Sequence, residues 1–213
     1  MASRLTELEA VNGILRMLGR RHVNSLAAAD LTADASFSLQ ELRQVSRQVQ
    51  LQGWHFNSER SVKLTKNASN RVPLTDDIAR VDNAKRAGPR MMGVDIIMRV
   101  HATDGACLYD KNADSRDEDP FDFADVNEVR VDLVRLLDYE KTPDAFRHYV
   151  QIRAGRNVQA RIIADPALYR FSLDDEARAL QVLAKEELDT SDASALNQWW
   201  MRRRSPLGRM ESI

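Results

Sequence analysis

The sequence predicts an α+β fold, a bundle of four main helices with an inserted antiparallel β-rich region. Apolar residues recur every three or four positions in residues 1–53 and 139–190, which is the period of a helix. Between them, in residues 54–138, apolar residues recur at every second position, as in strands with one buried face. Each predicted helix has only one apolar stripe, so the four stripes are expected to bury one another. Residues 191–213 then form a C-terminal tail.

Local signals place the ends of the first two helices. Thr6 and Glu9 have capping-box spacing, although Ser3 is an alternative cap, and Gly19 can end the first helix in a left-handed conformation. The second helix is predicted from about Thr32 to Gln52, with Gly53 ending it. The stripe positions are Leu5, Leu8, Val11, Leu15 and Leu18 in the first helix, and Ala35, Leu39, Leu42, Val45 and Val49 in the second.

Strands are predicted where the period changes to two. They cover Val94 to His101 and Val129 to Leu133, with a shorter one at Val62 and Leu64. Asp104-Gly105 is a hairpin-turn signal before Leu108 and Tyr109. Residues 110–125 are polar and acidic, which favours a loop.

The last two helices have apparent starts in the sequence. Thr142 is the predicted N-cap of the third helix, Pro143 its first residue, and Pro166 lies at or beyond its end. The fourth helix is predicted to begin at Ser172. The stripe positions are Phe146, Val150, Ala154, Val158 and Ile162 in the third helix, and Ala177, Leu180, Leu183, Ala184 and Leu188 in the fourth.

Composition and motifs argue against several classes of protein. A formal net charge of -1 does not suit a dedicated nucleic-acid binder, and the single cysteine, Cys107, cannot form an internal disulfide. We find no glycine-rich phosphate loop, no nucleophile elbow, no signal peptide and no stretch apolar enough to cross a membrane. The four histidines, His22, His55, His101 and His148, lack metal-ligand spacing. No catalytic residue, cofactor or metal ion is therefore predicted.

Two acidic clusters and one aromatic pair have structural interpretations that we favour over functional ones. Asp110, Asn112 and Asp114 resemble the start of a calcium loop, but Ser115 and Phe121 stand where Gly and Glu are needed, so a solvated loop is favoured over a weak cation site. The run Asp174, Asp175 and Glu176 is explained by the dipole at the start of the fourth helix. Trp54 and Phe56 are expected to anchor the core and not to bind a ligand.

The C-terminal tail carries the candidate binding residues. These are Trp199, Trp200, Arg202, Arg203 and Arg204. Tryptophan and arginine are the residues most enriched at interface hot spots, so a partner protein is the favoured ligand of the tail. Packing of the tail on its own bundle and binding of nucleic acid are the alternatives.

Several blocks of the sequence, none of them catalytic, have a familiar composition and order. The first block runs from Leu8 to Leu15, and the second from Gln52 to Asn57. The third and longest consists of Leu137, Asp138, Tyr139, Glu140, Pro143, Phe146, Arg147, Tyr149, Ala154, Arg156 and Arg161. Smaller blocks are Leu18-Gly19, Val23, Ser25-Leu26, Tyr109-Asp110 and Asp175 to Arg178. Together they resemble the tail tubular protein A family of short-tailed bacteriophages, the head-to-tail adaptors. Residues 58–93 and those after Thr190 match the family pattern less well.

The resemblance implies a structural virion protein that is not an enzyme. Its expected partners are the portal protein, the tail nozzle (tail tubular protein B) and further copies of itself in a ring, expected to be a dodecamer. DNA would pass through the lumen without specific binding, no membrane would be involved, and the protein would be made in the host cytoplasm. The alternatives are another neck or head-completion protein and a small DNA-binding regulator that uses the basic tail. An enzyme ranks third, because no spacing suggests a pocket of perturbed acids or histidines.

Overall fold

The computed structural model describes residues 5–27, 30–84, 94–113, 118–126, 128–163 and 165–190, with the backbone alone for 166–169. Within these ranges the protein has four helices and two small antiparallel sheets, which confirms the mixed α+β class. Residues 1–56 and 138–213 belong to one compact unit, here the α unit, and residues 57–137 to a second, the β unit. No helix in the described ranges is both long and apolar enough to cross a bilayer.

The helices of the α unit are α1 (Glu7–Met17), α2 (Ala33–Gln50), α3 (Asp144–Ile162) and α4 (Pro166–Thr190). Helix α3 packs against each of the other three, and α1 also packs against α2. The stripe predicted for α2 is buried, and Phe146, Val150, Ala154 and Val158 of α3 are fully buried, so both stripes are confirmed over most of their length. The core of the unit therefore lies around α3.

Predicted helix starts were right for α1 and α2 and wrong for α3 and α4. Thr6 and Glu9 form the reciprocal capping box, and Thr32 caps α2 through the backbone N–H of Ala35. Thr142 does not cap α3, because its hydroxyl donates to the carbonyl of Tyr139 at 2.6 Å and Pro143 takes the N-cap position.

Helix α4 begins at Pro166, six residues before the predicted Ser172. Proline suits a first helical turn, where its missing N–H has no helical partner to lose. Asp174, Asp175 and Glu176 therefore lie beyond the first turn, and the dipole explanation given for them was wrong. The buried face of α4 centres on Ala179 and Leu183, whereas Leu188 is half exposed.

The strands of the β unit are β1 (Ser58–Leu64), β2 (Ile78–Asn83), β3 (Ile96–His101), β4 (Gly105–Asp110) and β5 (Val129–Arg135). One sheet has the order β1-β5-β2, and β3 and β4 form a hairpin. The segment at Val72 and Leu74 extends that hairpin through backbone hydrogen bonds to β4. Apolar residues of both sheets share one buried cluster: Val72, Leu74, Ile78, Val81, Ile96, Leu108, Phe123, Val126, Val129, Val131 and Leu133.

The alternating pattern correctly predicted β5, β1 and the hairpin with Gly105 at positive φ, but it gave the wrong burial for β3. Ile96 is buried, yet Met98 is 39% exposed and Val100 81% exposed. Alternation of apolar and polar residues identifies a strand, but it does not show how far along the strand the buried face extends. Residues 111–113 and 118–125 of the predicted acidic loop lie outside helices and strands, and Asp110 ends β4.

Candidate interaction surface

Polar side chains of the α unit connect its helices and the segments between them. Asn12 on α1 makes two hydrogen bonds with the backbone of Val23: its amide donates to the carbonyl and its oxygen accepts from the N–H, each at 2.9 Å. A single side chain thus satisfies both backbone groups of a residue outside any helix. Asn12 fixes the course of the chain after α1.

Arg147 is a buried charged residue that links α3 to the start of the chain. Its side chain is 3% exposed, donates to the carbonyl of Leu5 at 2.8 Å and pairs with Asp144 at 2.9 Å. The hydroxyl of Tyr139 donates to the backbone carbonyl of Arg147 at 3.0 Å, and burial raises the pKa of that hydroxyl. The Arg147 contacts are those of a structural brace.

Two glutamates join α3 to its neighbouring helices. Glu41 on α2 accepts from Asn157 at 2.8 Å and from Arg161 at 2.9 Å. Glu176 on α4 pairs with Arg156 of α3 and lies within hydrogen-bonding distance of the Tyr149 hydroxyl. Since both carboxylates are occupied by partners on α3, their positions are explained by packing between helices and not by catalysis.

Glycines allow α1 and α3 to cross closely. A methyl group at Gly155 would overlap the sulfur of Met17, and one at Gly13 would overlap the Gln151 side chain. Both overlapping atoms belong to flexible side chains, so a small substituent could be accommodated by their movement. The close crossing leaves the end of α1 directly over α3.

A groove opens beside this crossing, between Met17 at the end of α1, the middle of α3 and residues 171–182 of α4. Its volume is about 470 Å³. Met17, Ile152, Phe171, Ala179 and Val182 provide its apolar wall. Phe171 is 70% exposed and Val182 is 56% exposed. Exposed apolar side chains grouped on one face are typical of a contact surface.

Polar side chains also line this groove. Asp175 and Arg178 of α4 pair with each other at 3.5 Å, and His148 and Gln159 of α3 contribute further donors and acceptors. A surface that combines apolar side chains with polar ones is usual for a protein-binding patch. Sequence analysis did not predict the groove, although Phe171 and Val182, both outside the stripe assigned to α4, were the signal available.

The β unit has a polar cluster at the turn of its hairpin. Arg71 pairs with Asp104 at 2.8 Å, and His101 Nδ1 lies 3.2 Å from the same carboxylate. Hydrogen bonding from Arg71 lowers the pKa of Asp104 below its ordinary value. The His101 ring also packs edge-on against Phe121 at 4.8 Å. The cluster ties the hairpin turn to the neighbouring segments.

Part of the acidic loop is organised by a lysine. Lys66 Nζ donates to the carbonyls of Phe123, Ala124 and Val126 at 3.1, 3.3 and 2.9 Å. Asp110, the first position of the calcium-loop alternative considered above, accepts from the N–H groups of Asp95 and Asn112 at 3.0 Å each. Lys66 thus orders the end of the acidic stretch, beyond the calcium-loop positions, and Asp114 lies outside the described residues.

A profile described as "Tail tubular protein" matches residues 8–193 of the chain. The chain belongs to the tail tubular protein family. It is therefore a structural protein of a bacteriophage tail and a component of the virion. No curated protein is similar enough in sequence to be counted as a match.

Residues that suggested a resemblance to tail tubular proteins are largely those that brace the α unit. Asn12, Arg147, Tyr149, Arg156 and Arg161 all make the contacts between elements described above. The family pattern therefore records how the helices are held together. Trp54 and Phe56 also belong to this core: the Trp54 indole donates to the carbonyl of Val49 at 2.8 Å, and Phe56 contacts Phe146.

The predicted binding residues of the tail were not tested by this comparison or by the structure. Trp199, Trp200, Arg202, Arg203 and Arg204 lie outside the described residues and beyond the end of the family match at residue 193. They stay a prediction, while the groove on α4 is the exposed apolar surface that the structure adds.

Proposed function

We propose that this tail tubular protein is a subunit of the head-to-tail adaptor, a ring that joins the portal to the tail nozzle. Membership of the family over residues 8–193 is the observation that carries the proposal. The ring is expected to be a dodecamer, a number that comes from the resemblance to tail tubular protein A.

The α unit has features that suit the wall of a ring. Glu41 and Glu176 join α3 to α2 and to α4, which supports treating these three helices as one rigid part of the wall. Cyclic assembly requires two different surfaces on each subunit, because head-to-tail contacts join unlike faces. The exposed apolar face of α4 is a candidate for one of these surfaces.

The β unit and the tail are assigned the remaining contacts. The β unit, including residues 110–125, would face the nozzle or the neighbouring subunit, and Val100 at its hairpin is the most exposed of its large apolar side chains among the described residues. The tail, with Trp199 and Trp200, would dock on the portal. A net charge of -1 suits a channel through which DNA slides without binding.

The experiment that tests the adaptor role mixes the purified protein with the portal of the same phage. We expect a symmetric ring of many copies on the portal in single-particle images, with a matching mass in native mass spectrometry. A Trp199→Ala/Trp200→Ala variant that fails to bind would locate the docking site in the tail. No complex with an intact portal would contradict the proposal and favour another neck protein.

A further inference from the structure

The groove between α1, α3 and α4 has an apolar wall that no segment among the described residues covers. Val182 and Phe171 stand on its α4 side with more than half of their surface exposed. Its volume of about 470 Å³ lies in the range of pockets that enclose aromatic groups. A suitable occupant therefore has large apolar side chains followed by groups that complement the polar side chains of the groove.

We infer that the groove holds the chain's own C-terminal tail, with Trp199 and Trp200 against the apolar wall and the arginines after them beside the acidic residues of α4. The inference concerns the free protein and goes beyond the adaptor role.

Chain length allows this contact within one molecule. Trp199 is nine residues beyond Thr190, where α4 ends, so the connecting segment can span about 30 Å when extended. Val182 lies eight residues before Thr190, about 12 Å back along the helix, and Phe171 lies about 28 Å back. The tail can therefore turn back along α4 and still reach the groove.

The order of residues in the tail matches the order of groups on α4. If the tail runs antiparallel to the helix, the residues after Trp200 lie towards the start of α4. Arg202, Arg203 and Arg204 then come near Asp174 and Asp175, which are both exposed. Arg178 offsets one of those negative charges through its pair with Asp175, which leaves an attraction that salt will weaken.

Portal docking and groove docking of the tail are separable. The two tryptophans cannot occupy both sites at once, so docking on the portal would require the tail to leave the groove. The test below uses the free protein without the portal, and its failure would leave the adaptor proposal unaffected.

Trypsin cleavage at Arg202 to Arg204 measures how often the tail is free, because cleavage of a briefly opened segment follows the open population. The full-length protein is compared with Val182→Asp, Phe171→Asp and Trp199→Ala/Trp200→Ala variants by intact mass. Both groove side chains are largely exposed, so these substitutions should leave the fold intact. We expect the tail to be cut about tenfold faster in all three variants.

Val100→Asp is the matched control, since it replaces an even more exposed valine in the β unit and should be cut at the wild-type rate. Acrylamide quenching of tryptophan fluorescence gives a second readout. Trp54 is buried in the core, so differences in quenching between proteins report on the tail. Equal cleavage in all proteins, with equal quenching in those that keep Trp199 and Trp200, would overturn the inference. Protection that disappears on hundredfold dilution would overturn it too, by assigning the groove to the tail of a second copy.

Discussion

Arg161 on α3 lies 2.9 Å from the carboxylate of Glu41 on α2, although the two residues are 120 positions apart in sequence. The Glu41 side chain is 3% exposed and that of Arg161 is 55% exposed. Asn157 donates to the same carboxylate at 2.8 Å. The buried acid is thus satisfied by one internal amide and by one arginine that keeps much of its contact with water.

This asymmetry predicts unequal effects of removing the two partners. Glu41→Ala should lower the free energy of unfolding by about 2 to 3 kcal/mol, because it leaves the Asn157 amide unpaired beside a small cavity. Arg161→Ala should cost less, about 1 kcal/mol, since the arginine is half solvated and Asn157 still donates to the buried carboxylate. Urea unfolding followed by Trp54 fluorescence measures both. Equal losses in the two variants would show that the exposed arginine carries the stabilisation.

Asn12 provides a second test of the bracing contacts. Asn12→Ala should cost about 1 to 3 kcal/mol, because it removes both hydrogen bonds to the backbone of Val23. Asn12→Asp keeps the acceptor and loses the donor, so it should fall between wild type and alanine. Urea unfolding gives the free energies, and amide exchange at Val23 should become faster in both variants. An aspartate variant less stable than alanine would indicate that charge repulsion, and not hydrogen bonding, governs this position.

Lys66 offers a corresponding test in the β unit. Lys66→Met removes three hydrogen bonds to loop carbonyls while keeping much of the apolar stem, so amide exchange over residues 119–126 should rise about tenfold. Lys63→Met is the control. That lysine is 62% exposed and, within the described part of the chain, pairs with the exposed Glu128, so its loss should leave exchange in the loop unchanged. Equal exchange in the two variants would contradict the role given to Lys66.

The parts of the fold that sequence reasoning predicted are those set by neighbouring residues. Thr6 and Glu9 form a cap within one turn, and Gly19 and Gly53 take positive φ where α1 and α2 end. The start of α4 was missed because Pro166 was interpreted only as a terminator. Proline occurs both in the first turn of a helix and just after a helix has ended, so Pro166 alone does not decide between the two. The acidic run from Asp174 to Glu176 then suggested a later helix start than the true one.

Strand β2 was missed because a register shift breaks its period. Ile78 and Val81 are both buried although three positions separate them, and the pairing with β5 shifts between Ile78 and Arg80. Such an irregularity moves the following side chains to the other face of the sheet. A search for apolar residues at every second position therefore does not detect the strand. The groove was missed for a different reason: Met17, Ile152 and Val182 become neighbours only when three helices pack.

Acid should weaken the β unit through three carboxylates whose pKa values are lowered in the folded protein. Hydrogen bonding from Thr75 and then Arg135 lowers the pKa of Asp77, Arg71 lowers that of Asp104, and Arg130 lowers that of Glu128. A group with a lowered folded pKa stabilises the fold at pH values above its ordinary pKa. That contribution is lost as the pH falls through the folded value.

Stability of residues 57–137 should therefore be constant near neutral pH and decline from about pH 5 downwards. Amide exchange of this range in a urea series, corrected for the intrinsic pH dependence of exchange, measures the decline.

Asp104→Asn should be less stable than wild type at neutral pH, and its stability should decline less steeply in acid, because one of the three titrating groups is gone. Asp122→Asn, whose carboxylate accepts a hydrogen bond from a loop N–H and has no arginine partner in the described structure, is the control and should keep the wild-type slope. If the stability of Asp104→Asn fell with pH as steeply as that of wild type, the pair between Arg71 and Asp104 would not contribute to the pH dependence.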